Sequence, residues 1–415
     1  MFLHSRSLTE QLKFASSGIM KPSFPEVYGS ILIEHSTSKN HISIRAFNNY
    51  AHVKTILGVC EGRSVRSDSK RNRMALNPKK LLNAMSKLND QVFIHFDFDS
   101  LRVKLRSKNS KIEDVCSNGD DFIEFPDIEK EMVQIPVPEY IQAGLNCISF
   151  IPDSKSFMEF ARGVYIGAVN GELHVVATDG QTLGKNADTE NHIIDKSNGG
   201  VLVPSQNIDL ISSLLSQKKQ VFTGIITQRQ IAFATKRDTV VSMALDGRMP
   251  AYDKLISSFK LNNTLVDAKF NRVELLTSIE FVSNYADDSF NQVLFNGGDG
   301  SLSLSAGEMS KGGSIGDGSY KGEITLKYSS ANTSNFFGII HIPKILRTLK
   351  AIDNETITLL IPVKEPCADN LCILPDESKI STLFFIALMR PDEAEPVHTN
   401  DRENTDEIDA DEFSN

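Results

Sequence analysis

The chain has 415 residues, 40% apolar and 23% charged, a globular composition with room for two to four domains. No apolar run approaches the ~18 residues a membrane helix needs, and the opening MFLHSRSLTE lacks the apolar core of a signal peptide. The net charge of −9 is local: Asp392 to Asn415 hold ten acids and one base, leaving 43 acidic and 43 basic residues in the body. A neutral body excludes a uniformly basic nucleic-acid binder but permits one basic surface. The five cysteines (Cys60, Cys116, Cys147, Cys367, Cys372) are scattered and odd in number. They are expected to be free thiols in a reducing cytoplasm.

In chain order, an amphipathic helix is predicted in SLTEQLKFASSGI (7–19), then strands YGSILIEH, HISIRAF and VKTILGV. A Pro-started helix, NPKKLLNAMSKL (77–88), precedes QVFIHFDF and LRVKL. The alternation then recurs. VPEYIQAGLNCISFI (137–151) leads into GVYIGAV and ELHVVATD, and VPSQNIDLISSLLSQ (203–217) into QVFTGII, QIAFAT and TVVSMAL. A third round runs from FNRVELLTSIEFVSN (270–284) through NQVLFNG, SLSLSAG and GEITLKY to IPKILRTLKAI (342–352) and TITLLIPV, NLCIL and TLFFIAL. Proline suits a helix start because its missing N–H would be unpaired there anyway. The strands are rich in β-branched and aromatic residues with partial period-two alternation.

EFPDI (124–128) and RMPAYDKLI (248–256) both stand near the end of a repeat, with linkers expected at Glu129–Val133 and Leu261–Thr264. The expectation is three similar domains, 1–132, 133–262 and 263–391, each with two helices on antiparallel sheets, in the α+β class. A disordered acidic tail, 392–415, follows.

At 100° per residue, Lys79, Lys80 and Lys87 share one face of their helix while Leu81, Leu82, Ala84, Met85 and Leu88 share the other. Lys344, Arg347 and Lys350 oppose Ile345, Leu346, Leu349 and Ile352 in the same way. Lys218 and Lys219 end the fourth helix, and Lys13 and Arg272 contribute singly. Such faces suit a phosphate backbone; they also suit plain solvation, and Glu274 and Glu280 offset Arg272. No aromatic-studded basic patch suggests base readout.

No catalytic constellation emerges. His95, Asp97 and Asp99 in HFDFDS are expected on one strand face, solvated rather than metal-binding. Asp120–Asp121 and Asp287–Asp288 are turn formers. Cys367 and Cys372 lack CxxC spacing, and GDGSYKG (316–322) lacks the GK[ST] ending of a phosphate loop. No GxSxG or HExxH occurs. The expectation is a non-enzyme with no metal and no cofactor.

GELHVVATDGQTLGK (171–185) resembles the VATDGHRLA signature of the bacterial DNA sliding clamps, the β subunits of replicative DNA polymerase III. LDGRMPAYDKLI (245–256), GVLVPSQNIDLISSLL (200–215), FFGIIHIPKILRTLKAI (336–352) and TLFFIALMRP (382–391) are similar to further family segments in family order. VATDG followed about 65 residues later by DGRxP is the specific part.

The resemblance implies a clamp fold in which two chains close head-to-tail into a ring, helices inward and sheets outward. It implies a processivity factor that slides on duplex DNA without sequence preference, with a DNA polymerase and a clamp loader as partners and no membrane association. It also implies a peptide pocket between the second and third domains. The matching positions are Ala161, Thr178, Gly180, Gln181, Thr182, Leu183, Pro250, Lys254, Leu255, Phe385, Ala387, Leu388, Met389 and Arg390. Where the family has His-Arg, this chain has Gln181–Thr182, and Ala161 replaces a leucine; taken together, these changes are expected to widen the pocket and remove a charge. Phe281 and Val282 match an apolar pair at the ring contact, and Lys21 matches a DNA-touching loop residue. A clamp-fold platform that does not encircle DNA, and an unrelated α+β enzyme, are the alternatives. The tail begins beside the expected pocket and is read as a regulator of access, as a segment that repels DNA from the ring's outer face, or as a solubilising segment.

Overall fold

The computed structural model describes residues 5–19, 29–36, 41–58, 71–87, 93–107, 109–126, 133–135, 138–188, 199–216, 223–226, 229–262, 264–288, 291–307, 321–363, 370–376 and 381–389. Lys21, Lys218, Lys219, Arg390, Cys60, Cys367, most of GDGSYKG and the acidic tail lie outside them.

One element order runs through the chain: a helix, three strands, a fourth strand, a second helix, three more strands. Its first round is α1 (Ser5–Ser17), β1 (Ile31–Ser36), β2 (His41–Asn48), β3 (Ala51–Gly58), β4 (Arg73–Leu76), α2 (Pro78–Ser86), β5 (Phe93–Asp97), β6 (Arg102–Arg106) and β7 (Lys111–Val115). After the short β8 (Ser117–Asn118) and β9 (Val133–Ile135) it recurs as α3 (Pro138–Ile148), β10 (Gly163–Val169), β11 (Glu172–Thr178), β12 (Thr182–Asp188) and β13 (Gly199–Pro204). That round ends with α4 (Ile208–Leu215), β14 (Thr223–Ile226), β15 (Gln230–Ala234) and β16 (Asp238–Met243). After α5 (Tyr252–Asn262) and β17 (Leu265–Asn271) come α6 (Arg272–Ser283), β18 (Gln292–Gly298), β19 (Ser301–Gly307), β20 (Lys321–Lys327) and β21 (Phe336–His341). The last elements are α7 (Ile342–Ala351), β22 (Thr356–Pro362), β23 (Asn370–Pro375) and β24 (Ser381–Ala387).

Helices α2 and α6 start where a side chain satisfies one of their first N–H groups. Asn77 accepts from Lys79 N (3.0 Å) ahead of Pro78, and Asn271 accepts from Glu274 N (3.0 Å). Their buried stripes follow the helical period: Leu81 and Met85 in α2, Leu275, Ile279 and Val282 in α6, Ile342, Ile345 and Leu349 in α7.

The chain divides into two compact units. The first comprises residues 1–262 with 351–354 and 373–385; the second comprises 263–350, 355–372 and 386–415. In the first unit a nine-stranded sheet runs β8-β4-β1-β2-β3-β16-β15-β14-β9, and a three-stranded sheet runs β5-β6-β7. A further sheet in this unit runs β13-β10-β11-β12 and then β24, whose residues to Phe385 belong here. In the second unit β20-β19-β18-β21 form a four-stranded sheet, and β17 pairs antiparallel with β22.

The seam between β3 and β16 is antiparallel, with Thr55 opposite Asp238 and Val53 opposite Val240. Both Thr55 and Asp238 are buried, and they share a short polar chain with Gln11 of α1.

Two expectations need correction. Leu261 and Asn262 end helix α5 rather than opening a linker, because Tyr252 and Phe259 form a buried stripe that carries the helix that far. Asp99 lies in the turn after β5, not on its face; Asp97 Oδ1 accepts from Ser100 N (3.1 Å) and closes that turn.

Candidate peptide-binding site and nucleic-acid face

The motif TDGQT owes its residues to a tight turn between β11 and β12. Asp179 Oδ1 accepts from Gln181 N (2.8 Å) and Thr182 N (2.5 Å), and Thr178 Oγ1 accepts from Gly180 N (3.1 Å). Gly180 has φ +91, a left-handed conformation that glycine adopts freely. The turn leaves Gly180 and Gln181 exposed and buries Thr178, Thr182 and Leu183; Ala161, at the end of the 3-10 turn Glu159–Arg162, is fully buried.

One face of the same sheet carries a buried polar cluster that holds α5. Thr178 and Leu183 are cross-strand partners, so along β11 the side chains of Thr178, Val176 and His174 share a face, with Lys185 opposite Val176. His174 lies 3.2 Å through Nε2 from Glu172 Oε2 and 2.7 Å through Nδ1 from the Tyr252 hydroxyl. A carboxylate only accepts, so Nε2 carries the proton and Nδ1 accepts from the Tyr252 O–H. Lys185 Nζ donates to Asp253 Oδ1 (2.8 Å) and sits 5.5 Å from the centre of the Tyr252 ring. Burial, then the Lys185 charge, hold His174 below its ordinary value; burial pushes Tyr252 far up. At the other end of α5, Phe259 meets Phe385 edge-to-face with centroids 4.9 Å apart. Helix α5 is therefore pinned at both ends, and Lys254 and Leu255 between them stay exposed, with Pro250 exposed just ahead.

Within the second unit, Met389 N donates to Ile339 O (2.9 Å), Gln292 Nε2 lies 2.9 Å from Met389 Sδ, and buried Leu388 lies against Gly338. Ala387 is half-buried.

Among the DNA-facing candidates, Lys13, Lys79, Lys80, Lys87 and Arg347 are exposed and Lys344 is half-buried. Lys80 Nζ stands 3.8 Å from Asp114 Oδ1, and Lys350 Nζ is 2.8 Å from Glu280 Oε1. Arg272 departs from expectation. Its Nη1 donates to Leu349 O (3.2 Å), so the guanidinium serves the carbonyl end of α7, where helix polarity favours a cation. Phe281 is 48% exposed, whereas Val282 is fully buried. Adjacent residues on a helix point about 100° apart, so of this pair only Phe281 reaches the surface.

Sequence reasoning passed over the His174–Tyr252 cluster; its signal was the polar Glu172 and His174 opening an otherwise apolar strand. It also passed over Phe157, Tyr285 and Val115, large apolar side chains left in solvent. A cleft of about 650 Å³ in the second unit, lined among others by Asn296, Ser303, Thr325 and Phe337, contains no residue singled out from the sequence. Among the described residues no group of three or more His, Cys, Asp or Glu could hold a metal, and no helix is long and apolar enough to cross a membrane.

This recurrent order of helices and antiparallel sheets is that of the DNA-clamp fold, an α+β class. The structure aligns with the DNA polymerase III β subunit of Pseudomonas aeruginosa at TM-score 0.81, with 14% identity over 94% of this chain and 99% of that one. The β subunit of Thermotoga maritima aligns at 0.78, with 17% identity over 94% and 98%. In sequence, the β sliding clamp of Synechocystis is 25% identical over 295 residues, 66% of this chain and 72% of its own length. That of Chlamydia trachomatis is 24% identical over 55% of this chain and 52% of its own. No family profile matches the chain. In fold the chain is like these DNA polymerase III β subunits, and in sequence it is similar to bacterial β sliding clamps.

Proposed function

We propose that this chain is a DNA polymerase processivity factor. Two copies close into a ring around duplex DNA, without catalytic chemistry of their own, in the cytoplasm, and tether a polymerase and a clamp loader. The domains are 1–132, 133–262 and 263–391.

A pairing rule within the chain supports the ring. The third strand of a first half-repeat joins the third strand of a second half-repeat: β3 with β16, and β12 with β24. By the same count β20 and β7 remain, and among the described residues each is the edge of its sheet. An open edge presents unpaired N–H and C=O groups. Pairing β20 of one copy with β7 of the other extends the rule head-to-tail, and two copies then leave neither edge open. Apolar surface stands beside both edges. Phe281 of α6 and Tyr285 just after it are exposed, their rings 5.9 Å apart, with Tyr285 lying against Gly322 of β20; Val115 at the end of β7 is 70% exposed.

Partner peptides are proposed to anchor on Thr178, Gly180, Gln181, Leu183, Pro250, Lys254 and Leu255, together with Phe385 and Ala387 to Arg390. DNA is proposed to meet Lys13, Lys79, Lys80, Lys87, Lys344 and Arg347 through its phosphates, contacts that carry no sequence information. Lys21, Lys218 and Lys219 are proposed to join them. The platform reading draws on the third repeat, where Arg272 and Lys350 bind within the protein.

Light scattering over a concentration series, followed by retention on nicked circular DNA before and after linearisation, tests the ring. The expected result is a dimer retained on the circle and lost from the linear form. A monomer with no topological retention would leave the platform.

A further inference from the structure

Phe157 is wholly exposed and Met158 next to it is 44% exposed, on the loop between α3 and β10. A single exposed apolar residue is ordinary on a surface, whereas two adjacent ones on a fixed backbone make a patch. This backbone is held. Asp153 N donates to Ala161 O (2.7 Å), Ser156 N to Asp153 O (3.1 Å) and Ala161 N to Met158 O (3.0 Å). Lys155 N donates to Asp153 Oδ1 (2.9 Å) and Met158 N to Ser156 Oγ (3.2 Å).

The loop also touches two of the segments assigned to the proposed peptide site. A Cβ placed on Gly180 would stand 3.1 Å from Met158 Cε, and one on Gly247 would stand 2.7 Å from Glu159 Cβ. Gly180 belongs to the TDGQT turn, and Gly247 lies three residues before Pro250.

We propose that Phe157 and Met158 form an apolar ledge continuous with the peptide site. The ledge takes an apolar or aromatic side chain lying outside the anchor residues of the same partner peptide. The proposal rests on the peptide-site reading given above. Its chemistry is that of a rigid ring beside a flexible, polarisable thioether: the ring supplies area at little entropic cost, and the methionine adapts to the side chain that arrives. Nucleic acid suits this tip poorly. Lys155 stands among Asp153 and Glu159, Arg162 lies 3.8 Å from Glu159, and no second aromatic is exposed beside Phe157 to continue a base stack.

The test uses two fluorescein-labelled peptides and the full-length protein, read by anisotropy. One is a pentapeptide in which leucines supply the apolar anchors. The other is the same peptide extended at either end, in separate versions, by a short polar spacer and a further phenylalanine. Phe157→Ser, made at a fully exposed position, is expected to weaken one extended version about tenfold and to leave the pentapeptide within about twofold. Leu255→Ser is expected to weaken all of them. If the wild type binds none of the peptides, the peptide-site reading fails and this inference with it. If the pentapeptide binds and responds to Leu255→Ser while Phe157→Ser changes no extended peptide, the ledge alone is refuted. Weakened binding of a 30-base-pair duplex by Phe157→Ser, with peptides unaffected, would also overturn it in favour of a DNA contact.

Discussion

The Nδ1 of His174 accepts a 2.7 Å hydrogen bond from the hydroxyl of Tyr252, and through this contact the helix that presents Lys254 and Leu255 is held on the sheet that carries Thr178 and Leu183. Both partners are buried, so neither has water as a substitute. The geometry needs a neutral imidazole: once His174 gains a second proton, both ring nitrogens donate and the Tyr252 O–H must turn away.

Tyr252→Phe therefore leaves Nδ1 buried without its donor and should cost about 1–2 kcal/mol. Urea unfolding at pH 7.5 checks this; a loss below about 0.3 kcal/mol would show that the hydroxyl contributes no net stability. The pH sign follows from the shift. His174 sits below its ordinary 6.5 in the folded chain, so the unfolded chain takes up the proton first. The contribution of His174 is complete above pH 6.5 and is lost as pH falls toward the folded value. His174→Gln should flatten stability against pH between 7 and 5, when the groups facing it, Glu172, Lys185, Asp253 and Tyr165, are left in place.

A second buried titration lies at the β3–β16 seam. Thr55 has one hydroxyl proton and two acceptors, Gln11 Oε1 and Asp238 Oδ1, the latter at 2.5 Å. The set is satisfied if Asp238 is protonated, donates to Thr55, and Thr55 donates to Gln11. Burial raises Asp238 above the usual carboxylate range, in keeping with that chain of donors. A raised carboxylate favours the fold at low pH, and its contribution is lost as pH rises through the folded value. Asp238→Asn supplies the same donor without the charge. It should hold or raise the melting temperature at pH 8 and give no gain at pH 4; a marked drop at pH 8 would mean that the ionised form is the one the seam requires.

The sixfold alternation of helix and sheet was legible because each helix repeats its apolar stripe and each strand its β-branched run. Helix α5 was not: RMPAYDKLI stands in the sequence only as a segment near the end of a repeat, and the burial of Tyr252 and Phe259 marks its helix. The motif TDGQT was legible as a signature, and its physical content, an Asp179 turn closed on Gly180, lies in the local backbone. Arg272 and Val282 have surroundings that the sequence did not show, for one reason. A sequence shows which residue is basic or apolar on a helix, but not whether the facing element offers a carbonyl end or a core.

Arg272 and Arg347 consequently separate in function. Arg347→Ala, made together with Lys79→Ala and Lys80→Ala at exposed positions, should weaken duplex binding and reduce the slope of log K against log salt by roughly 0.9 for each phosphate that is no longer neutralised. Arg272→Ala should leave that slope unchanged and lower stability by on the order of 1 kcal/mol, because it removes a cation from the end of α7. Fluorescence titrations at several salt concentrations check both. Equal slope changes for the two arginines would return Arg272 to the DNA-facing set.

The open edges lead to the last expectation. Phe281 and Tyr285 flank β20, and their exposed rings add area to a contact whose backbone pairing alone is generic to any strand. Specific association needs that side-chain surface, and buried aromatic anchors carry most of the energy in such contacts. Phe281→Ser should raise the dimer dissociation constant about tenfold or more while leaving unfolding of the monomer unchanged, since the ring is not part of the core. Val282→Ser should do the opposite first: it opens the core under α6 and destabilises the second unit before any effect on assembly is seen. Sedimentation equilibrium of both variants, alongside urea unfolding, distinguishes the two roles. A dimer that forms equally well with Phe281→Ser would move the contact away from α6 and leave the β20 backbone as its principal element.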